Sequence, residues 1–233
     1  MQKLVACMYN IQTENNEQEK GAVCLKSTAE LANSIKTKVH KNRVTVLEKD
    51  ATLTFIGAGR SAVVFKVSSE KKALKVFFPD CIHIAKEEAA IYNILKGNNY
   101  FPQIHESGDN FLLIDYIEGD TLFECLTKGI KITEPFISEI DQALLSAKQE
   151  GLNPSDIHLR NIILTTRGDI KLIDVARFRQ TKNCRQWKDL KKAFTRLYKK
   201  TYFPKKIPGF ILNAISYLYK KRFPQIGFVL EFF

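Results

Sequence analysis

Two strand-like runs flank Gly57-Ala-Gly59, and that placement restricts the fold more than any other feature of this 233-residue chain. Leu53-Thr-Phe-Ile56 precedes the glycines and Val63-Val-Phe-Lys-Val67 follows them. A third run, Ala73-Leu-Lys-Val-Phe-Phe78, comes after a short polar stretch. β-Branched and aromatic runs separated by turn residues read as strands joined by hairpins. A glycine pair inside a hairpin does not open a helix, so the dinucleotide-binding strand-to-helix turn is excluded. Glycines there let the backbone approach phosphate oxygens and offer N–H donors, although an ordinary Gly-rich β-turn meets the same pattern.

Lys75 lies in the middle of the third run. Alternation sets Leu74 and Val76 on one strand face and Lys75 on the other, which can be a solvated face. A helix is expected from about Ile82 to Lys96, closed by Gly97, with Ile84, Ile91 and Leu95 as its apolar stripe. Glu88 falls within that inward stripe, while Glu87 points about 100° away. A carboxylate on a buried face requires a partner, and Lys75 is available. Such a pair beside a phosphate cover would position α- and β-phosphates.

Strands near Ile104 and over Phe111–Tyr116 lead to Glu118-Gly-Asp120, a natural junction between two lobes. Thr121-x-x-Glu124 has capping-box spacing, and Pro135 and Gly151 bracket an amphipathic helix carrying Ile137, Ile140, Leu144 and Ala147. Asp156-Ile-His158-Leu-Arg-Asn161 then forms a loop before two strands, Ile162–Leu164 and Ile170–Ile173, around Thr166-Arg-Gly-Asp169. The five-residue step from Asp156 to Asn161 suits a carboxylate aimed at a hydroxyl and an amide oxygen aimed at a metal; a capped polar turn also fits. Asp174, just past a buried strand end, is placed as a magnesium ligand or as a turn cap. Trp187, Leu190, Phe194 and Leu197 form one helical stripe, and a second helix begins at Pro208. In the polar first 50 residues, Ser27-Thr-Ala-Glu30 predicts a helix carrying Leu31, Ile35 and Val39.

In this order and at these intervals, residues 53 to 175 resemble the protein-kinase superfamily: glycine-rich loop, strand lysine, helix glutamate, catalytic loop and metal-binding aspartate. Asp-x-His-x-x-Asn is more similar to the compact bacterial kinases (the RIO, aminoglycoside and lipopolysaccharide kinase branches) than to the common eukaryotic loop. The whole is similar to small bacterial serine/threonine kinases. The resemblance implies an α+β, two-lobed protein-kinase-like fold with a β-rich N-lobe and an abbreviated, mostly helical C-lobe. Residues 1–50 would be an extension with a short helix, 51–118 the N-lobe, and 119–233 the C-lobe with basic C-terminal helices.

The resemblance further implies that Ile56, Gly57, Ala58, Gly59, Arg60, Ser61, Ala62, Val63 and Val64 cover ATP. Asp115, Tyr116 and Ile117 would offer backbone groups to adenine. Lys75, held by Glu88, would grip the phosphates, and Asp156 would be the catalytic base. His158 stands where a lysine often reaches the transferred phosphate, and Asn161 and Asp174 would bind Mg²⁺. The implied reaction moves the γ-phosphoryl group of ATP to a hydroxyl, most readily on protein Ser or Thr. The alternatives are a small-molecule or glycolipid acceptor, or a pseudokinase scaffold on a polyanion. The chain departs from the family pattern at Ala62 for the third glycine, Pro154-Ser155 for His-Arg and Val175-Ala176 for Phe-Gly, and Ala-Pro-Glu is missing. These changes argue against activation-loop control and a peptide-docking platform. Asp189 would tie down the catalytic loop or be a solvated helix acid.

The net charge of +11 is concentrated: residues 182–222 hold thirteen Lys/Arg against Asp189 alone. Lys188, Lys191, Lys192, Arg196, Lys199 and Lys200 form a solvated face or attract nucleic acid, anionic lipid or an acidic substrate. Tyr198, Tyr202, Phe203, Phe210, Tyr217 and Tyr219 are interleaved and either insert into such a partner or pack in the core. Cys7, Cys24, Cys81, Cys125 and Cys184 include no C-x-x-C pair, which fits reduced thiols. No apolar run approaches about 20 residues and no signal-peptide core is visible, so a soluble cytoplasmic protein without a transmembrane segment is expected.

Overall fold

A computed structural model describes residues 26–40, 43–68, 70–182 and 184–220. Cys7, Cys24 and residues 221–222 of the basic segment lie outside the described residues. Strands β1 (Lys36–His40) and β2 (Arg43–Glu48) form a separate hairpin. Strands β3 (Leu53–Ala58), β4 (Ala62–Val67), β5 (Lys72–Phe77), β6 (Ile104–Ser107) and β7 (Phe111–Asp115) form an antiparallel sheet in the order β3-β4-β5-β7-β6. β5 is therefore central, and both its faces are covered. Leu74 and Val76 pack with Leu31 and Ala32 of helix α1 (Thr28–Asn33). Ala73 and Phe77 join the larger core with Ala85, Ile91 and Tyr92 of helix α2 (Ile82–Ile94). Lys75 shares that second face, so alternation along one strand carries an ammonium into the interior.

The N-terminal helix is shorter than its spacing predicts. The capping box between Ser27 and Glu30 is formed, but the helix stops at Asn33, leaving Ile35 and Val39 outside it. Val39 instead pairs with Val44, because Lys36–His40 and the β-branched run Val44-Thr-Val46 satisfy each other's backbone groups across the hairpin. Strand structure thus starts at Lys36, ahead of the expected residue 51.

The C-terminal half is mostly helical, as the resemblance implied, and gives the two-lobed α+β fold. β8 (Gly119–Thr121), β9 (Ile162–Thr165) and β10 (Ile170–Leu172) make a small antiparallel sheet. Helix α3 (Leu122–Lys128) begins with the Thr121/Glu124 capping box and ends at Gly129, φ 81°. Helix α4 (Glu134–Gln149) buries Ile140, Ala143, Leu144 and Ala147. α5 (Gln186–Ala193) runs into a π-helical turn over Phe194–Tyr198, and α6 (Gly209–Lys220) follows. The π turn rotates the face, so Trp187, Leu190, Phe194 and Leu197 are only half-buried. Tyr198 takes the core position, its hydroxyl accepting the Ile132 N–H at 3.0 Å. Part of the basic face docks on α4: Lys191 bonds Asp141 at 2.8 Å and Lys199 pairs with Glu134.

Candidate active site

The site is built around Lys75. Its ammonium lies 2.7 Å from both carboxylate oxygens of Glu88 and 3.0 Å from Oδ1 of Asp174. Lys75 is 8% exposed and Glu88 is fully buried, whereas the Asp174 side chain is half-exposed. Three elements meet here: the central strand, the helix that follows it and the loop after β10. Burial alone would weaken the Lys75 ammonium, but Glu88 and then Asp174 outweigh it and hold its pKa above the ordinary lysine value. Burial lifts the Glu88 carboxyl above its ordinary value despite Lys75. At Asp174 burial acts upward as well, and Lys75 overrides it to leave the carboxyl below the usual range.

Asp156 and Asp174 are the non-glycine positions with positive φ among the described residues, at 62° and 60°. The left-handed region costs a non-glycine residue on the order of 1 kcal/mol or more, and here the surrounding loops impose it. The Asn153 N–H bonds the Phe178 carbonyl at 2.6 Å, and the Ile173 N–H bonds the Asn161 carbonyl at 2.9 Å. These ties run the Asp156–Asn161 loop alongside the segment carrying Asp174. The Asn161 side chain donates from Nδ2 to the Asp156 carbonyl at 3.1 Å, which leaves its Oδ1 as an acceptor. That oxygen and the Asp174 carboxylate are hard donors of the kind Mg²⁺ prefers. Mg²⁺ takes one or two protein oxygens and completes its shell with water and phosphate, so the residues fit this ion.

The Asp156 carboxylate lies among basic side chains. Arg177 Nε is 3.5 Å away, Arg60 Nη2 3.9 Å and His158 Nε2 4.0 Å. Arg60 belongs to the hairpin between β3 and β4, so the glycine loop reaches over to the Asp156 loop. A bulge at Ile56 shifts the register before Gly57 pairs with Val64 and Ala58 with Val63. Gly59 donates to the Ala62 carbonyl at 2.8 Å and closes the turn. Neither Gly57 nor Gly59 has a positive φ, and a Cβ at Gly57 would meet nothing within 4 Å. The ordinary-turn reading therefore has no conformational need for glycine at either position.

In the segment after β7, the Asp115 N–H is bound to Gln103 O at 3.0 Å and the Tyr116 N–H to Lys71 O at 2.9 Å. Those two amides are committed to the fold. The Ile117 amide has no hydrogen-bond acceptor among the described residues. The Asp115 side chain is also engaged, with the Gln103 N–H at 2.9 Å and His105 at 2.7 Å, and this fixes the segment's path.

Three residues at the site carried no sequence signal that singled them out. Arg177 meets Asp156 only because the turn after Asp174 folds back. Gln186 at the start of α5 reaches Asp156 Oδ1 at 3.4 Å, whereas Asp189 accepts from Tyr219 at 2.8 Å and does not anchor the loop. Tyr92, one turn beyond Glu88, is 1% exposed, and its hydroxyl meets no partner at full hydrogen-bond geometry among the described residues, although it faces the Asp174 backbone N–H. Burial, with Glu88 and Asp174 nearby, pushes that hydroxyl well above the ordinary tyrosine value.

The sequence is similar to those of several known proteins. The chain is 55% identical over 185 residues to a Bacillus subtilis protein named "Putative serine/threonine-protein kinase YrzF", covering 78% of this chain and 86% of that one. Human myosin-IIIa is 33% identical over 144 residues, which span 51% of this chain and 9% of the myosin. A viral serine/threonine-protein kinase 1, from Heliothis zea nuclear polyhedrosis virus, is 24% identical over 113 residues, 44% of this chain and 42% of its own. No family model matches.

Proposed function

The chain belongs to the serine/threonine-protein kinase family and is a kinase; from that premise we propose that it binds Mg-ATP between its lobes and phosphorylates a serine or threonine hydroxyl of a protein. The observation that carries this reading is the meeting of Lys75, Glu88 and Asp174 within 3.0 Å. In this reading Ile56–Val64 cover the nucleotide and the backbone at Asp115 and Ile117 meets adenine. Lys75, kept cationic by Glu88, holds α- and β-phosphate oxygens. Asn161 Oδ1 and Asp174 would hold Mg²⁺, which would supply neutralisation of phosphate charge. Asp156 orients the acceptor hydroxyl and takes its proton as the new O–P bond forms and the bond from the γ-phosphorus to the bridging oxygen breaks, releasing ADP. Arg60 and Arg177 place positive charge where the transferred group passes, with the His158 imidazole beside them, so rate comes mainly from positioning and electrostatics. Residues 51–118 and 119–233 serve as the two lobes of this machine.

A small anionic molecule bearing a hydroxyl is the second reading, favoured by the two guanidinium groups and the His158 imidazole within 4.0 Å of Asp156. Labelled ATP with Mg²⁺, offered generic protein substrates and a panel of phosphorylated and neutral sugars, separates the two acceptors. Asp174→Asn should cut transfer on the order of a hundredfold or more while the protein stays folded. Transfer unchanged in that variant refutes the metal assignment.

A further inference from the structure

Phosphoryl transfer leaves α6 unexplained. At 3.6 residues per turn, Phe210, Ile211, Ala214, Ile215 and Leu218 fall on one arc of about 140°. All five are exposed, Phe210 at 74% and Ile215 at 51%. The helix is attached by its other side. Leu212 is buried, the Asn213 side chain accepts from Arg160 at 3.0 Å, and the Tyr219 hydroxyl donates to Asp189. A contiguous aliphatic and aromatic strip of this kind marks an interaction surface.

Charge identifies the partner. Residues 190–230 contain ten Lys/Arg and neither Asp nor Glu. Lys191 and Lys199 are paired with α4, but Lys188, Lys192, Arg196, Lys200 and Lys206 are exposed. Lys206 precedes α6 closely and Lys220 ends it, while Lys205 is held by the Tyr198 and Lys200 carbonyls. An apolar helix face bounded by cations suits the boundary between acyl chains and anionic headgroups. RNA would answer the charge but leave Phe210, Ile211, Ile215 and Leu218 in water. No helix among the described residues is long and apolar enough to cross a membrane, so the contact would be with the surface.

We propose that α6 docks the kinase on an anionic lipid surface, with Phe210, Ile211, Ile215 and Leu218 inserted at headgroup depth and the flanking lysines on the headgroups. The test floats the full chain with phosphatidylcholine vesicles containing phosphatidylglycerol, with phosphatidylcholine vesicles alone, and with single-stranded RNA as competitor. The wild type should associate with the anionic vesicles only, and RNA should not displace it. The double substitution Phe210→Asp and Ile215→Asp should lower the partition on the order of tenfold or more. Its thermal unfolding and kinase activity should be unchanged, because both side chains are already in solvent. Absence of association at low salt overturns the proposal. So does equal association of the double variant, or RNA binding that survives the double substitution while vesicles are ignored. A dimer dispersed by that variant without vesicle binding assigns the face to a second copy and also overturns it.

Discussion

Lys75→Met isolates the charge at the centre of the site. Methionine keeps most of the stem that packs near the Phe77 ring, 5.2 Å from the ammonium in the native protein. The substitution leaves Glu88, fully buried, facing Asp174 with no cation between them. Removing one partner of a buried ion pair costs about 3–5 kcal/mol. Asp174 is half-exposed and can turn to water, so the lower part of that range is expected, about 3–4 kcal/mol. That is a large share of the stability of an ordinary domain. Combining it with Glu88→Leu removes both buried charges and should recover about 2 kcal/mol or more, a coupling far above the additivity error. Urea unfolding of the wild type, both single variants and the double, at pH 7 without nucleotide, gives all four terms. The pH profile is a second check. In Lys75→Met the native Glu88 holds a proton that the unfolded chain has lost, so stability rises as pH falls and the deficit narrows towards about pH 5. In the wild type the raised Lys75 pKa makes its contribution complete below the ordinary lysine value, and it is lost only as pH climbs through the folded value. A loss below about 1 kcal/mol, as for an exposed pair, or a double variant equal to the sum of the singles, refutes the buried unit.

Two further outcomes follow from packing. Gly119→Ala would place a Cβ 2.2 Å from the Leu164 carbonyl oxygen and 2.7 Å from the Thr165 Cα, both backbone atoms. It should push β8 off β9 and lower stability by about 3 kcal/mol, read by thermal unfolding; a neutral variant would mean that the junction yields freely. Tyr92→Phe removes a buried hydroxyl whose contact with the Asp174 N–H falls short of full hydrogen-bond geometry, so it should change stability by no more than about 1 kcal/mol in either direction. A loss larger than about 1 kcal/mol would show that the hydroxyl is satisfied in solution.

The Lys75–Glu88 encounter was legible in advance because it follows from two local periods. Strand alternation sets Lys75 opposite Leu74 and Val76, and the i+4 step from Ile84 turns Glu88 inward. The capping boxes at Ser27 and Thr121 were legible for the same reason, since each involves residues three apart. The π turn at Phe194 was not, and it set Tyr198 in the core where the helical period points to Leu197. Nor was the β1–β2 hairpin, whose strands are justified only by each other.

By itself the amino-acid order determined which side chains face inward, where helices begin, and that a strand lysine, a helix glutamate and two loop aspartates recur at kinase intervals. Only the folded chain decided that Asp156 and Asp174 take left-handed backbones, that Arg60, Arg177 and Gln186 gather on one carboxylate, and that α6 keeps an apolar face in solvent. Facing is a property of neighbours along the chain, read from a period of two or 3.6 residues. Convergence depends on segments dozens of residues apart being held by one shared core, to which the loops add only Ile157, Val175 and Phe178, and no local pattern encodes that.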